Sequence, residues 1–329
     1  MGDLPDRVPS GVLRIAIAGE PVTEHCAGLI GDPDGMPCTT GTRFQIASVS
    51  KQFTAAAVLV LAERGHLSVS DAAARWFPGG PDGWESVTVH QLLTHTSGLG
   101  HWEDFPGIDI FAATSDERML EVIRGRPLLS APGGRFSYSS LGYWLLARIV
   151  EEVAEQPYAE FLSQAVLAPA GLADTFAGSA GQRSNVASGH SGGVPASSYE
   201  LNHTGKGAGD IYSTASDLDR WSRSLRAVLP ADRSRQLMFT AHAAAGQSLG
   251  TWGTEDAYGY GWYLHGPAPA TLRYHSGHNS GFNSFSAWRP DKELSPMILT
   301  NDDSIDPQAI AREELPVARA HAAPGRRRR

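Results

Sequence analysis

Ser48 and Lys51 are the first residues whose types and spacing could do chemistry, within the stretch Ala47-Ser48-Val49-Ser50-Lys51-Gln52-Phe53. A serine hydroxyl is a weak nucleophile until a base takes its proton, and a lysine desolvated against apolar surroundings can be that base. On a helix, residues three apart share a face while adjacent ones point about 100° apart. Ser48, not Ser50, can therefore present its hydroxyl to Lys51, and the amino end of a helix offers free N–H groups to an oxyanion. The chain has 27 basic residues, of which only Lys51, Lys206 and Lys292 are lysines. Arginine cannot give up its proton in this way. Neither Lys206, with His203 three back, nor Lys292, with Arg289, repeats the pattern. Taken alone, the tetrad also fits a helix capped by Ser48, with Lys51 as a surface charge.

Other candidates lie further along. Gly189-His190-Ser191-Gly192-Gly193 satisfies G-x-S-x-G, which works only on a sharp strand-to-helix turn. Its polar flanks predict a flexible loop instead. Phe136-Ser137-Tyr138-Ser139-Ser140 follows the turn Pro132-Gly133-Gly134 and precedes a helical stretch. Tyr138, held as phenolate near a lysine ammonium, could act as general base; otherwise it is a packed ring, with Ser139 or Ser140 as the cap. In Arg273-Tyr274-His275-Ser276-Gly277-His278, strand alternation puts His275 and Gly277 on one side. Gly277 would let a substrate approach the strand edge, where a backbone N–H could complete an oxyanion hole. His275 and His278 would point to opposite faces of a strand, so no metal site is expected. Gly205 to Gly209 lacks the ending of a phosphate loop, and no cofactor is implied.

Several elements must position these groups. Leu13, Ile15 and Ile17 alternate with Arg14 and Ala16, the pattern of a half-buried strand, followed by a second strand from Val22 to Ile30 and a turn over Gly31-Asp32-Pro33-Asp34-Gly35. Phe53 to Ala62 is apolar on nearly every face, predicting a buried helix ended by Arg64 and Gly65. Helices are also expected over Leu141–Val153, Asp217–Val228 and Ile305–Arg319. Strand character returns in TLRYHSG, FNSFSAW and MILT, with a turn at Pro290–Glu293. Strands at both ends imply a discontinuous α/β sheet domain, 1–60 with 245–329, around a mostly helical domain, 61–244, with the active site between. Arg326–Arg329 close a tail, 323–329, expected to be disordered.

At 329 residues, with 41% hydrophobic and 19% charged residues, the chain can bury a substantial core. The net charge of −8 argues against a nucleic-acid binder. Its longest apolar run, Ala55 to Ala62, is too short to span a bilayer. Cys26 and Cys38 could form at most one bridge and are expected to be free thiols. The start shows no basic segment followed by an apolar run, so the chain as written is expected to be cytoplasmic, or secreted or periplasmic if the start was trimmed. Oligomeric state is left open.

S-x-x-K at Ser48, Y-x-x at Tyr138 and H-x-G at His275, in this order, resemble the serine β-lactamase and penicillin-binding-protein superfamily. The nearest branch is that of class C enzymes and D-alanyl-D-alanine carboxypeptidases, with related esterases and D-aminopeptidases. FQIASVSKQFTAAAVLVLAERGHLSVSD, VTVHQLLTHTSGL and GAGDIYSTASDLDRW also look like segments of that family. The resemblance implies an α/β (α+β) fold with an antiparallel five-stranded sheet flanked by helices, plus an all-helical region. It implies Ser48 as acylated nucleophile, Lys51 as its proton partner, Tyr138 as base and proton shuttle, and His275 as a source of field and proton relay. The oxyanion would be held by the backbone N–H groups of Ser48 and His278, and His95–Leu99 would be architectural. The substrate implied is a small-molecule or peptide acyl compound of D-amino-acid type, or an ester. An acyltransferase or cyclase, a β-lactamase and a penicillin-binding sensor are the alternatives. Two departures stand out. Ser140 occupies the place of an asparagine, and the helix that usually precedes the first strand is reduced to MGDLPDRVPS.

Overall fold

In the computed structural model, which describes residues 8, 10–31, 35–248 and 250–322, the alternating stretch near the start forms strand β1 (Gly11–Ile17). Ala18 and Gly19 then take φ of 52° and 88°, a two-residue turn whose twist suits a hairpin, and β2 (Glu20–Ala27) begins at once. The second strand therefore starts and stops earlier than its composition predicts. Most of the segment Met1–Ser10, the middle of the turn at 31–35 and the tail at 323–329 lie outside the described residues.

Three short strands, β3 (Ala243–Ala244), β4 (Ala257–Tyr258) and β5 (Tyr263–His265), precede the long strands β6 (Leu272–Asn279), β7 (Phe282–Trp288) and β8 (Leu294–Thr300). They assemble in the order β2-β1-β8-β7-β6-β5-β4-β3, antiparallel throughout. The five long strands are the sheet expected from the sequence, and the short ones extend it beyond β6. Because β5 meets β6 only as far as Tyr274, that edge of β6 from His275 onward is not covered by β5.

The helices that matter are α1 (Lys51–Glu63), α2 (Ser140–Ala154), α3 (Ala215–Val228) and α4 (Pro307–Ala322). One face of the sheet, with Leu13, Ile15, Phe285 and Ile298, packs on Ile310, Ala311 and Leu315 of α4. The other, with Val12, Met297 and Leu299, joins the larger core shared with α1 and α3. β1 is thus buried on both faces rather than one. Arg14 tolerates this because Glu24 pairs with it and Asp219 of α3 lies 3.7 Å away. α3 covers the sheet although it comes from the middle of the chain.

Every residue of α1 from Lys51 to Leu61 is buried; α2 packs along it, and Phe53 stacks on Trp221 of α3 with ring centroids 4.4 Å apart. The G-x-S-x-G stretch, expected to be a flexible loop, is a tight hairpin of His190–Ser191 against Val194–Pro195. Its turn is pinned by Asp302, whose carboxylate accepts from the Gly192 and Gly193 amides at 3.2 and 3.0 Å. Cys26 and Cys38 are free thiols, and burial raises that of Cys38 to about 11. No helix among the described residues is long and apolar enough to cross a membrane.

Candidate active site

Ser48 lies in a 3-10 turn, Ala47–Ser50, that leads into α1. From the first residue of α1, Lys51 Nζ reaches to 2.9 Å from Ser48 Oγ. Ser50 points elsewhere, and its hydroxyl accepts from the Ile211 amide at 3.1 Å. Neither serine caps the helix by its side chain, so the cap reading of the tetrad fails for both.

The turn is seated on the face of the sheet, over β6 and β7. A Cβ on Gly277 would fall 2.4 Å from the Ile46 carbonyl oxygen and 2.9 Å from the Ala47 side chain. The glycine therefore admits the backbone of the nucleophile turn, where the sequence suggested an approaching substrate. Ser284, opposite Gly277 on β7, donates to the same Ile46 carbonyl at 2.7 Å. Ala47 has φ of 47°, a conformation costly for a residue with a side chain, and the packing around it holds that strain.

Lys51 is fully buried. Its Nζ lies 2.7 Å from the Ala208 carbonyl and 3.2 Å from Ser140 Oγ, in addition to Ser48. Burial pushes its pKa well below that of an ordinary lysine, and the Asp210 carboxylate opposes this more weakly. The rings of Tyr138 and Tyr143 sit 5.0 and 5.6 Å from the amine.

Tyr138 is set by the loop His95–Gly100. The amide of Ser137 donates to the His95 carbonyl at 2.8 Å, and that of Ser139 to His95 Nδ1 at 3.1 Å. Gly98, at φ 80°, touches Ser130 so closely that a Cβ would lie 2.1 Å from its carbonyl oxygen. Ser139 then caps α2 by accepting from the Gly142 amide. Burial raises the pKa of the Tyr138 hydroxyl, and the neighbouring Ser48 hydroxyl offsets part of the rise.

His275 is buried, with Nδ1 2.6 Å from the Ser276 carbonyl and Nε2 3.1 Å from the Tyr258 hydroxyl. Burial first, then Lys51, pushes its pKa down to about 3. The ring is therefore neutral near pH 7, donating from Nδ1 and accepting at Nε2. His278 is exposed, its Nδ1 2.8 Å from Asn283 Oδ1.

Six of the seven residues singled out from the sequence, Ser48, Tyr138, Ser140, His275, Gly277 and His278, line one groove of about 440 Å³, and Lys51 lies beneath it. The sequence reading missed His101, whose Nε2 is 3.1 Å from Ser140 Oγ, and the Ala208 carbonyl that anchors Lys51. A signal for His101 existed in its place just beyond the His95–Leu99 segment.

A model of the Beta-lactamase family matches residues 2–319. Penicillin-binding protein 4* of Bacillus subtilis (strain 168) is 28% identical over an alignment of 325 positions that covers 92% of this chain and 70% of that protein. Protein flp of Staphylococcus aureus (strain COL) is 28% identical over an alignment of 278 positions that covers 80% of this chain, which spans only 53% of that relative's length. The penicillin binding protein from Bacillus halodurans superposes with a TM-score of 0.77 at 25% identity, over 93% of this chain and 96% of that one. The D-amino acid amidase from Ochrobactrum anthropi SV3, complexed with D-phenylalanine, reaches a TM-score of 0.80 at 21% identity, over 97% and 96%, a likeness of fold.

Proposed function

This chain belongs to the beta-lactamase family, and on that footing we propose that it is a serine hydrolase whose acyl-enzyme forms on Ser48. The observation that carries this reading is the 2.9 Å contact between Ser48 Oγ and an amine that burial has made easy to deprotonate. As a neutral amine Lys51 has two N–H groups and one lone pair. The Ala208 carbonyl and Ser140 Oγ take the first two, which leaves the lone pair for the Ser48 proton.

Ser48 attacks the acyl carbon as its proton passes to Lys51. The backbone N–H groups of Ser48 and His278, beside the open edge of β6, hold the oxyanion. Tyr138 gives its phenolic proton to the departing amine or alkoxide and regains one from the Lys51 ammonium. Water then attacks the acyl-serine ester as its proton passes to Lys51, which returns it to the departing Ser48 oxygen, and the serine is restored. Burial raises the phenol and lowers the amine, so it favours Lys51 over Tyr138 as first proton acceptor. His275, neutral and bonded at both ring nitrogens, acts as a fixed wall rather than a charge.

The substrate class is a short peptide, amide or ester of D-amino-acid type. The fold shared with a D-amino acid amidase supports it, as does the apolar side of the groove formed by Trp102, Ile110 and Leu201. With Ser140 in place of an amide side chain, weak turnover of β-lactams is expected. The test is a panel of chromogenic D-amino-acid amides, short-chain esters and one cephalosporin, run on wild type and Ser48→Ala with intact mass spectrometry. Loss of turnover by at least about 10³-fold in Ser48→Ala, with a transient adduct on wild type, is the expected result. Activity that survives Ser48→Ala overturns the reading, and stable adducts without turnover replace it with a sensor.

A further inference from the structure

Ser140 is bonded on both sides. Its Oγ is 3.2 Å from Lys51 Nζ and 3.1 Å from His101 Nε2, and His101 Nδ1 is 2.6 Å from Glu103 Oε2. Hydrogen-bond direction can be followed inward along this chain. An ionised carboxylate only accepts, so His101 carries its proton on Nδ1 and its Nε2 is an acceptor. The Ser140 hydroxyl must then donate to Nε2, and only its lone pairs remain for Lys51. Lys51 therefore donates to Ser140 and to the Ala208 carbonyl, with its own lone pair left facing Ser48.

We propose that His101 and Glu103 are positioning residues that set the direction of the Ser140–Lys51 hydrogen bond and so keep the Lys51 lone pair open to the Ser48 proton. This rests on Lys51 acting as base in the reaction proposed above. An asparagine at position 140 would need no such help, because its amide oxygen can only accept from the lysine. The serine hydroxyl can point either way, and the histidine decides which.

The local build suits the role. His101 is 22% exposed in its side chain and Glu103 81%, so the chain runs from solvent to the buried amine. The His101 amide donates to Asp104 Oδ2 at 2.9 Å, and the preceding Gly100 carbonyl accepts from Ser139 Oγ at 2.7 Å. Tyr138 stacks on the imidazole, with ring centroids 5.7 Å apart and planes at 25°. The titratable groups facing His101 are Glu103 and Asp104 on its own turn, Lys51 on α1, His95 on the preceding loop and Tyr138 ahead of α2. Burial lowers the pKa of His101 and Glu103 opposes this, so the ring is neutral near pH 7. Acid reverses the arrangement. A protonated His101 donates from Nε2, the Ser140 hydroxyl turns toward Lys51, and the lone pair is occupied.

The experiment is a cycle of His101→Ala in the wild type and in Ser140→Asn, read as kcat/KM on the best substrate of the panel, with melting temperature as a folding control. A loss of about tenfold or more for His101→Ala in the wild type, shrinking to about twofold in the Ser140→Asn background, is expected. The acid limb of kcat/KM should also flatten, from two protons per molecule in the wild type to one in His101→Ala. Equal losses in both backgrounds, or no loss in the wild type, overturn the proposal. If Ser140→Asn does not fold, the exposed Glu103→Gln decides instead. It should move the histidine step of the acid limb to lower pH and slow turnover, and a profile identical to wild type overturns the role. Activity surviving in Ser48→Ala would strike the parent reading, whereas an inert His101 beside a dead Ser48→Ala strikes only this one.

Discussion

The floor of the groove and the charged cluster on the outer side of α2 each hold a lysine, and they treat it in opposite ways. Lys206 lies 3.2 Å from both Asp116 and Glu151, with Arg148 completing the network. Lys51 faces a carbonyl, two hydroxyls and aromatic rings. A cation between carboxylates is stabilised as a cation, whereas an amine among neutral oxygens has lone-pair chemistry within reach. The charge of Asp210 is felt at both sites. Burial raises its pKa to about 7, Lys206 counters this, and its charge acts in turn on Lys51.

Replacing each lysine tests the contrast, and the largest effect belongs to Lys51→Arg. A guanidinium cannot act as base, so kcat should fall by about 10²–10⁴, measured as single-turnover acylation. Normal acylation by the arginine variant would end the assignment of Lys51. Asp210→Asn comes next. A carboxyl whose folded pKa is raised to about 7 from an ordinary 3.8 stabilises the fold fully only below about pH 4 and loses that contribution as pH climbs to 7. Across that window thermal melts of the wild type should lose a few kcal/mol that the asparagine variant keeps. The acid limb of its activity should also move to lower pH, because the charge that raises Lys51 is gone. In Lys206→Met two carboxylates lose a cation, costing about 1–2 kcal/mol in denaturant melts with turnover nearly unaffected. Lys206→Arg is the smallest change, within about 0.5 kcal/mol, because that site asks only for positive charge.

How far the sequence could be read depended on the distance over which each constraint acts. Ser48 over Ser50 followed from helix geometry alone, and α1 from its unbroken apolar run. The two-sided burial of β1 was hidden, because Arg14 looked like a solvent-facing residue until Asp219, on a distant helix, supplied its partner. Gly277 was recognised as a place of close approach, but what approaches is Ile46 and Ala47, a tertiary contact without local trace. Ser140 could be flagged as a departure from the family pattern. Its compensation by His101, 39 positions away, sits in a loop whose composition says nothing about where it docks. Likewise, the Gly189–Gly193 stretch reads as slack until Asp302 pins its turn.

The seating of Gly277 on the nucleophile turn ties the reacting centre to the final stage of assembly. Ser48 gains its surroundings only when β6, the Tyr138 loop and the Ala208 carbonyl, all distant in the chain, have closed around α1. An unfolded or half-assembled copy has an ordinary serine beside an ordinary lysine. A covalent reagent that titrates Ser48 would therefore count native molecules, and its end-point would measure the folded fraction of a preparation without any substrate being known.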